Sequence, residues 1–267
     1  MILITGASGF VGGKIVQMRS DVLASPSLQG MNEDDITRMI GQFNVDTVIH
    51  TAAISDTRTC QQNPEASYRA NVEIPVHLAR AVKNTDIKLV CFSSDQVYTG
   101  TKEEGPFSEE MARPANVYAE HKLEMEQRVL DLVPDAVMLR AEWMYDYYLK
   151  KSNYFMNVIN ATDTLRFSSS VYRGLTYVKE VVQNMDGVIR LPGGVYNFGS
   201  ETTKSMYEIT RMFLDAIGKV VPLEDAPIGC NLWMNCAKAK KHGIVFSRVE
   251  DGLRKCAEDY GYLPSTI

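Results

Sequence analysis

Along roughly the first half of the chain, short apolar runs alternate with segments in which apolar residues recur at helical spacing. An apolar run bounded by Gly, Pro or polar residues is typical of a buried strand, and the helical spacing is typical of an amphipathic helix. The runs predict strands over 2–4, 21–24, 45–53, 87–93 and 136–140, and helices after Gly9 and over 33–43, 65–83 and 116–133. This alternation predicts an α/β fold with a parallel sheet covered on both faces.

The second half of the chain alternates less regularly and carries an aromatic cluster between 143 and 155. A strand is predicted over 194–198, and helices are predicted over 204–217 and 249–260. We expect this half to add strands from about 165–200 to the sheet and otherwise to form a small cap over its ligand-binding edge.

Three glycines at three-residue spacing follow the first predicted strand. The run ILITGASGFVG places Gly6, Gly9 and Gly12 between that strand and a helix. Such a turn directs free backbone N–H groups at one point, which attracts phosphate. Gly6 would permit the tight turn, Gly9 the close approach of a pyrophosphate, and Gly12 close packing of helix on strand. The pattern predicts a doubly wound, Rossmann-type dinucleotide-binding domain over 1–142 and a mainly substrate-binding cap over 143–267. An ordinary βα turn is the alternative.

Composition excludes several classes of function. The chain has 45% hydrophobic and 23% charged residues, and its net charge of −5 argues against a general nucleic-acid binder. No apolar run is long enough to cross a membrane, and no signal-peptide pattern is present, so a cytoplasmic location is expected. The five cysteines form no C-x-x-C pair and the four histidines show no ligand spacing, so we expect reduced thiols and no metal.

Tyr118 and Lys122 lie four residues apart on a predicted helix, which places both side chains on one face. A nearby ammonium favours phenolate, so the pair predicts a tyrosine whose pKa is lowered toward the neutral range. Tyr118 could then exchange a proton with a carbonyl or alcohol oxygen, and Lys122 could also hold a ribose. An exposed surface pair is the alternative.

Other candidate residues follow the predicted strands at their carboxyl ends, where parallel sheets bind ligands. The glycine turn, Ala52, Ala53, Ser93 and Ser94 all fall on that edge. The Ser94 hydroxyl could bind a substrate oxygen that gains charge, or it could cap local backbone. Asp95 could orient its neighbours or be a plain turn residue.

These motifs resemble the extended short-chain dehydrogenase/reductase family. The likeness is carried by TGASGFVG at 5–12, HTAA at 50–53, FSSDQVY at 92–98 and PANVYAEHK at 114–122. Within that family, RAEWMY at 140–145, Asn153 with Phe155, and GVYNFGS at 194–200 are similar in order and spacing to the dTDP-4-dehydrorhamnose reductase branch.

The resemblance implies a Ser94–Tyr118–Lys122 triad in which Tyr118 donates a proton, Lys122 tunes it and holds the nicotinamide ribose, and Ser94 steadies the keto oxygen. It also implies sets of cofactor and substrate contacts. The cofactor set is Gly6, Ser8, Gly9, Phe10, Val11, Gly12, Thr51, Ala52, Ala53, Asn71, Ser93, Tyr118 and Lys122. The substrate set is Ser94, Asp95, Gln96, Trp143 and Asn153, with a core tryptophan as the other interpretation of Trp143.

The implied function is NAD(P)H-dependent reduction of a nucleotide-linked 4-keto-6-deoxy sugar. At the end of the second strand, Ala24, Ser25 and Pro26 offer no carboxylate to bind a ribose 2′-hydroxyl, which leans toward NADP(H), although no arginine is present either. The altered segment 172–176 leaves the sugar open. Two alternatives remain: another sugar-nucleotide epimerase or dehydratase, and a non-catalytic NAD(P)-binding regulatory subunit. Gln96 disfavours dehydration, because a neutral amide cannot abstract a proton. The oligomeric state is open, with a homodimer as one option.

Overall fold

The computed structural model describes residues 1–150 and 152–263. The chain divides into two compact units, which are described separately. The first unit comprises Met1–Thr101, Ala112–Arg140 and Met185–Tyr196. The second comprises Lys102–Met111, Ala141–Asn184 and the chain from Asn197 onward.

The described strands are short and are distributed along the whole chain. They are β1 (Ile2–Thr5), β2 (Val22–Ala24), β3 (Thr47–His50), β4 (Lys88–Ser94), β5 (Val137–Ala141), β6 (Trp143–Tyr145), β7 (Leu165–Phe167), β8 (Leu175–Tyr177), β9 (Gly194–Phe198) and β10 (Leu223–Asp225). Over the described residues, six of them form the main sheet in the order β2-β1-β3-β4-β5-β9. The pairs β1–β2, β1–β3 and β3–β4 are parallel. This confirms the predicted Rossmann-type sheet.

The helices lie between these strands and after the last of them. They are α1 (Phe10–Met18), α2 (Glu33–Gly41), α3 (Thr57–Gln62), α4 (Pro64–Tyr68), α5 (Ile74–Val82), α6 (Val117–Leu132), α7 (Tyr154–Ile159), α8 (Val178–Gln183), α9 (Met185–Ile189), α10 (Met206–Ala216), α11 (Ala237–Lys240) and α12 (Val249–Asp259). Among the described residues, no helix is both long and apolar enough to cross a bilayer.

The order of the strands shows at which edge of the main sheet a ligand is expected to bind. From β1 the chain moves outward to β2 and returns to β3 on the other side of β1, so the order reverses between β1 and β3. Doubly wound sheets bind ligands beyond the carboxyl ends of their strands at such a reversal. All residues of β1 and β3 are buried, as expected for central strands covered on both faces. One shared core packs α2, α5 and α6 against the sheet.

Two sequence predictions about this unit are wrong in detail. The single helix expected over 65–83 is three segments, α4, a π-helical turn over Arg69–Glu73, and α5. Pro75 lies in the first turn of α5, where a missing N–H is tolerated. Residues Thr57–Gln62, for which no helix is predicted from the sequence, form α3 because Asp56 caps its first turn.

The second unit is built around aromatic side chains. Its core includes Tyr145, Tyr154, Phe155, Tyr177 and Phe213, all nearly inaccessible to solvent. Two parallel two-stranded ladders, β6–β8 and β7–β10, border that core. Of the described strands between 165 and 200, β9 joins the main sheet, whereas β7 and β8 belong to these ladders.

Candidate active site

The turn between β1 and α1 leaves no room for a side chain at Gly6 or Gly12. Gly6 has a φ of +79°, a conformation that L residues rarely adopt. A Cβ at Gly6 would lie 2.6 Å from the backbone nitrogen of Ala52, and a Cβ at Gly12 would overlap the Gly6 carbonyl. Gly9 is the N-cap of α1, and its N–H donates to the Gly6 carbonyl at 2.9 Å. The turn therefore presents bare backbone at a helix N-terminus, which fits a dinucleotide pyrophosphate.

The predicted cofactor residues around this turn divide into two groups. Ser8 and Gly9 are exposed and Phe10 and Val11 are partly buried, so they remain accessible at the start of α1. By contrast, the Thr51 hydroxyl donates to the Thr5 carbonyl at 2.8 Å and packs beneath the turn. Thr51 thus ties β3 to the end of β1 and supports the turn from below.

This turn gives a direct test. Gly12→Ala should lower the unfolding temperature, and it should lower the affinity of this turn for a dinucleotide by at least about tenfold, because the added methyl group must displace the turn and overpacking typically costs about 1–3 kcal/mol. Gly13→Ala is the matched control, since its Cβ would meet only the Ala7 carbonyl, at 3.3 Å. Isothermal calorimetry and thermal unfolding would measure both effects. Equal behaviour of the two variants would contradict this account of the turn.

Tyr118 and Lys122 lie in the first half of α6, on a buried face. Asn116 caps the helix by accepting a hydrogen bond from the Ala119 N–H at 2.9 Å. Tyr118 is 6% exposed and Lys122 is 2% exposed, so the exposed-pair alternative is wrong. The Lys122 ammonium lies 5.9 Å from the centre of the Tyr118 ring and donates to the Phe92 carbonyl at 2.7 Å.

The expected lowering of the Tyr118 pKa is wrong. Burial raises the pKa of Tyr118 well above its ordinary value; a hydrogen bond with Ser94 opposes this, and Asp95 and Cys60 reinforce it. The ammonium that was expected to favour phenolate has its own pKa lowered by burial, to about 8. At neutral pH Tyr118 is therefore the protonated phenol, which is the form that can donate a proton.

Ser94 performs the capping role that the sequence left open, and its contact with a substrate oxygen stays a prediction. Its hydroxyl accepts from the Gln96 N–H at 3.2 Å, capping the 3-10 turn over Asp95–Tyr98. It also donates to the Asp95 carboxylate at 3.2 Å, and its proximity lowers the pKa of Tyr118. The structure thus brings Ser94, Asp95 and Tyr118 together at the end of β4. Gln96 lies one residue farther and accepts a long, 3.5 Å hydrogen bond from the Asn116 amide.

Asn71 lies in the π-helical turn and is fully buried. Its side-chain N–H group donates to the Ile54 carbonyl at 2.9 Å and to the Ser67 hydroxyl at 3.2 Å. Among the described residues, its amide oxygen has no hydrogen-bond partner. A buried acceptor without a donor is costly, so a ligand or an ordered water would stabilise it. π-turns occur often at functional sites.

Two residues that the sequence analysis missed lie close to the triad. Cys60 donates to the Ile54 carbonyl at 3.3 Å and acts electrostatically on both Tyr118 and Lys122. His50, at the end of β3, has its Nδ1 2.6 Å from the Thr5 hydroxyl, and burial lowers its pKa to about 3. His50 is thus neutral at physiological pH. No local pattern marks Cys60, because long-range packing brings it to the site.

The remaining predicted substrate residues, Trp143 and Asn153, belong to the second unit. Trp143 is partly exposed, packs edge-on against Tyr154, and carries the Arg173 guanidinium 5.2 Å above its ring. Asn153 is buried and caps α7 by accepting from the Met156 N–H at 3.3 Å. Their part in substrate binding stays a prediction.

Comparisons with known proteins agree with this architecture. A family model described as the RmlD substrate binding domain matches residues 1–242. A dTDP-4-dehydrorhamnose reductase of Mycolicibacterium smegmatis is 33% identical over 151 residues, which covers 54% of this chain and 46% of that protein. The alignment thus spans about half the length of this relative. The methionine adenosyltransferase 2 subunit beta of Xenopus laevis is 28% identical, with 91% of this chain and 82% of that protein covered.

A solved structure supports the fold. The dTDP-4-dehydrorhamnose reductase of Bacillus anthracis, in complex with NADP, superposes with a TM-score of 0.83 at 19% identity. The superposition covers 97% of this chain and 98% of that one. At this level of identity the likeness concerns the fold.

Proposed function

The chain belongs to the RmlD substrate binding domain family, and from this premise we propose that it is an NADPH-dependent reductase of a nucleotide-linked 4-keto-6-deoxy sugar. The observation that carries the proposal is the burial of Tyr118 beside Ser94, with Lys122 one helical turn away, at the sheet edge that also holds the glycine turn. The names of its relatives support the choice of substrate class.

The cofactor would lie along the glycine turn, with Gly6, Gly9 and Gly12 leaving room for the pyrophosphate. The segment from Val22 to Gly30 contains no acidic residue, so nothing there repels a 2′-phosphate, which supports NADPH. When bound, the reduced nicotinamide supplies a hydride. Lys122, whose ammonium now bonds the Phe92 carbonyl, is the cation available to the ribose.

The side chains of the triad would handle the substrate oxygen. Tyr118 holds the phenolic proton and gives it to the keto oxygen as that oxygen gains negative charge. Ser94 donates a hydrogen bond to the same oxygen and so stabilises the developing charge. Because burial keeps Tyr118 protonated, the enzyme would begin each cycle in the form that reduces ketones.

A substrate panel tests this proposal. Purified protein is mixed with NADPH and each of several nucleotide-linked 4-ketohexoses, and loss of NADPH absorbance is followed. Thermal shifts with NAD, NADP and nucleotide sugars run in parallel, because a ligand that binds only the native state raises its melting temperature. The proposal is wrong if folded protein is stabilised by none of these ligands and oxidises no NADPH with any ketosugar.

A second candidate is a non-catalytic NADP-binding regulatory subunit. It is favoured by the sequence match to a methionine adenosyltransferase beta subunit, which covers 91% of this chain. The sequence match to the Mycolicibacterium smegmatis reductase covers 54%. A regulator would bind NADP without turnover. Its effect on a partner enzyme would be insensitive to loss of the Tyr118 hydroxyl.

The Lys122 pKa predicts how cofactor binding depends on pH. Burial lowers this pKa to about 8, so the ammonium loses its charge as the pH rises through that value. The Kd for NADPH should therefore rise by about tenfold between about pH 7 and about pH 10, since a hydrogen bond to a charged group contributes about 1.5–3 kcal/mol. Fluorescence titration would measure it. Lys122→Met should bind weakly at every pH, and an equal rise in that variant would assign the effect to another group.

A further inference from the structure

A second set of contacts fixes α6 against β4 beside the triad. Three successive residues of β4 each meet one residue of α6: Phe92 accepts from Lys122, Ser93 donates to Glu126 at 2.5 Å, and Ser94 lies beside Tyr118. Ser94 and Tyr118 are therefore one of three neighbouring contact pairs between β4 and α6. Glu126 belongs to the pair that contains neither Tyr118 nor Lys122.

Glu126 is also bound by Arg140, a residue of β5. The Arg140 guanidinium binds the Glu126 carboxylate through two of its nitrogens, with the closest contact at 2.7 Å, and their side chains are only 4% and 2% exposed. A third nitrogen of Arg140 donates to the Tyr98 hydroxyl at 2.9 Å. Tyr98 ends the 3-10 turn that begins at Asp95. One buried ion pair thus joins β4, α6, β5 and the turn that follows Ser94.

We propose that Glu126 is a positioning residue for the reaction: through Ser93 it sets the register of α6 on β4, and through its charge it holds the Lys122 ammonium in place. This inference rests on the proposed reductase function for its kinetic consequences. Its structural consequences do not depend on a cofactor.

The charges around Lys122 support this role. The groups that act on Lys122 are Cys91, Glu126 and Cys60, and Lys122 in turn acts on His50. His50 is neutral at physiological pH, and burial raises the pKa of the Cys91 thiol to about 12. Tyr118 is protonated as well. Among the groups that act on Lys122, Glu126 is the carboxylate, and it lies four residues away on the same helix. Its effect is to raise the pKa of Lys122.

Two double variants separate the register from the charge. Glu126→Gln/Arg140→Met removes both charges but keeps an acceptor for Ser93, whereas Glu126→Leu/Arg140→Met removes the acceptor too. Replacing a buried ion pair by apolar side chains of similar size often preserves stability. Glu124→Gln/Arg128→Met, which removes an exposed ion pair on the same helix, is the matched control.

The first measurement follows the ε-carbon chemical shift of Lys122 against pH by NMR, with the signal assigned from its absence in Lys122→Met. In both double variants Lys122 should lose its proton at a lower pH than in the wild type, whereas the control should titrate as the wild type does. An unchanged Lys122 titration in the folded double variants would overturn the proposal. Because this readout needs no cofactor, it decides the role of Glu126 even if the protein reduces no ketosugar.

The second measurement is steady-state kinetics. The Gln-containing variant should lose about tenfold in kcat, and the Leu-containing variant about a hundredfold, since a small misplacement of reacting groups has effects of that order. KM for the sugar should stay within about threefold in both. If neither double variant folds, Ser93→Ala tests the proposal instead, because it removes the contact with Glu126 and keeps the Arg140–Glu126 ion pair. It should remain folded and lose about tenfold in kcat, and wild-type kcat would count against the proposal.

Discussion

Tyr118→Phe should lower kcat for ketosugar reduction by about 10²–10⁴-fold, the range expected when a positioned general acid is lost. The phenyl ring keeps the apolar packing of this 6% exposed side chain, so the fold should be retained. The hydroxyl that is removed is the one whose pKa the neighbouring Ser94 lowers. The Kd for NADPH should change by less than about threefold, because the glycine turn is untouched.

A matched tyrosine controls for general effects of losing a hydroxyl. Tyr68 contacts the same helix, and its hydroxyl donates to Glu124 and accepts from Arg128. Tyr68→Phe should retain kcat within about twofold, since these bonds lie outside the triad. Wild-type turnover in folded Tyr118→Phe would remove the reductase assignment and favour the regulatory subunit, whose partner-directed effect would persist in that variant.

Arg140→Met should lower the free energy of unfolding by about 3–5 kcal/mol, because it leaves the Glu126 carboxylate buried without its counter-charge. Burial disfavours the charged guanidinium, but the hydrogen bonds and charge of Glu126 raise the pKa of Arg140 above its ordinary value. The Arg140 guanidinium is therefore charged. Loss of the Tyr98 contact adds to the effect.

Urea unfolding with an unchanged m-value would measure this loss. The comparison is Arg128→Met, whose exposed ion pair with Glu124 should contribute no more than about 1 kcal/mol. Similar losses in the two variants would mean that burial of the Arg140–Glu126 pair does not determine how much the pair contributes to the free energy of unfolding. Recovery of stability in Glu126→Leu/Arg140→Met would attribute the loss to the uncompensated carboxylate.

Local sequence determined the elements that carry the site. β9 was predictable from its sequence. The starts of α2 and α6 were predictable because side-chain caps at Asn32 and Asn116 mark where those helices begin. The glycine turn was predictable because its three glycines lie between a buried strand and a helix. Tyr118 and Lys122 share a face because a helical turn repeats nearly every four residues.

Only the tertiary structure decided the electrostatics and the supporting contacts. The direction of the Tyr118 pKa depends on how deeply α6 is buried, and spacing along a helix carries no information on burial by distant elements. Cys60 and Arg140 reach the site through long-range packing. The π-helical turn around Asn71 likewise interrupts a segment whose apolar spacing predicts a continuous helix. Sequence thus determined the glycine turn and the Tyr118–Lys122 pair, because short-range spacing sets which side chains share a face or a turn. The fold decided their protonation states and partners, because both depend on which distant residues exclude water from them.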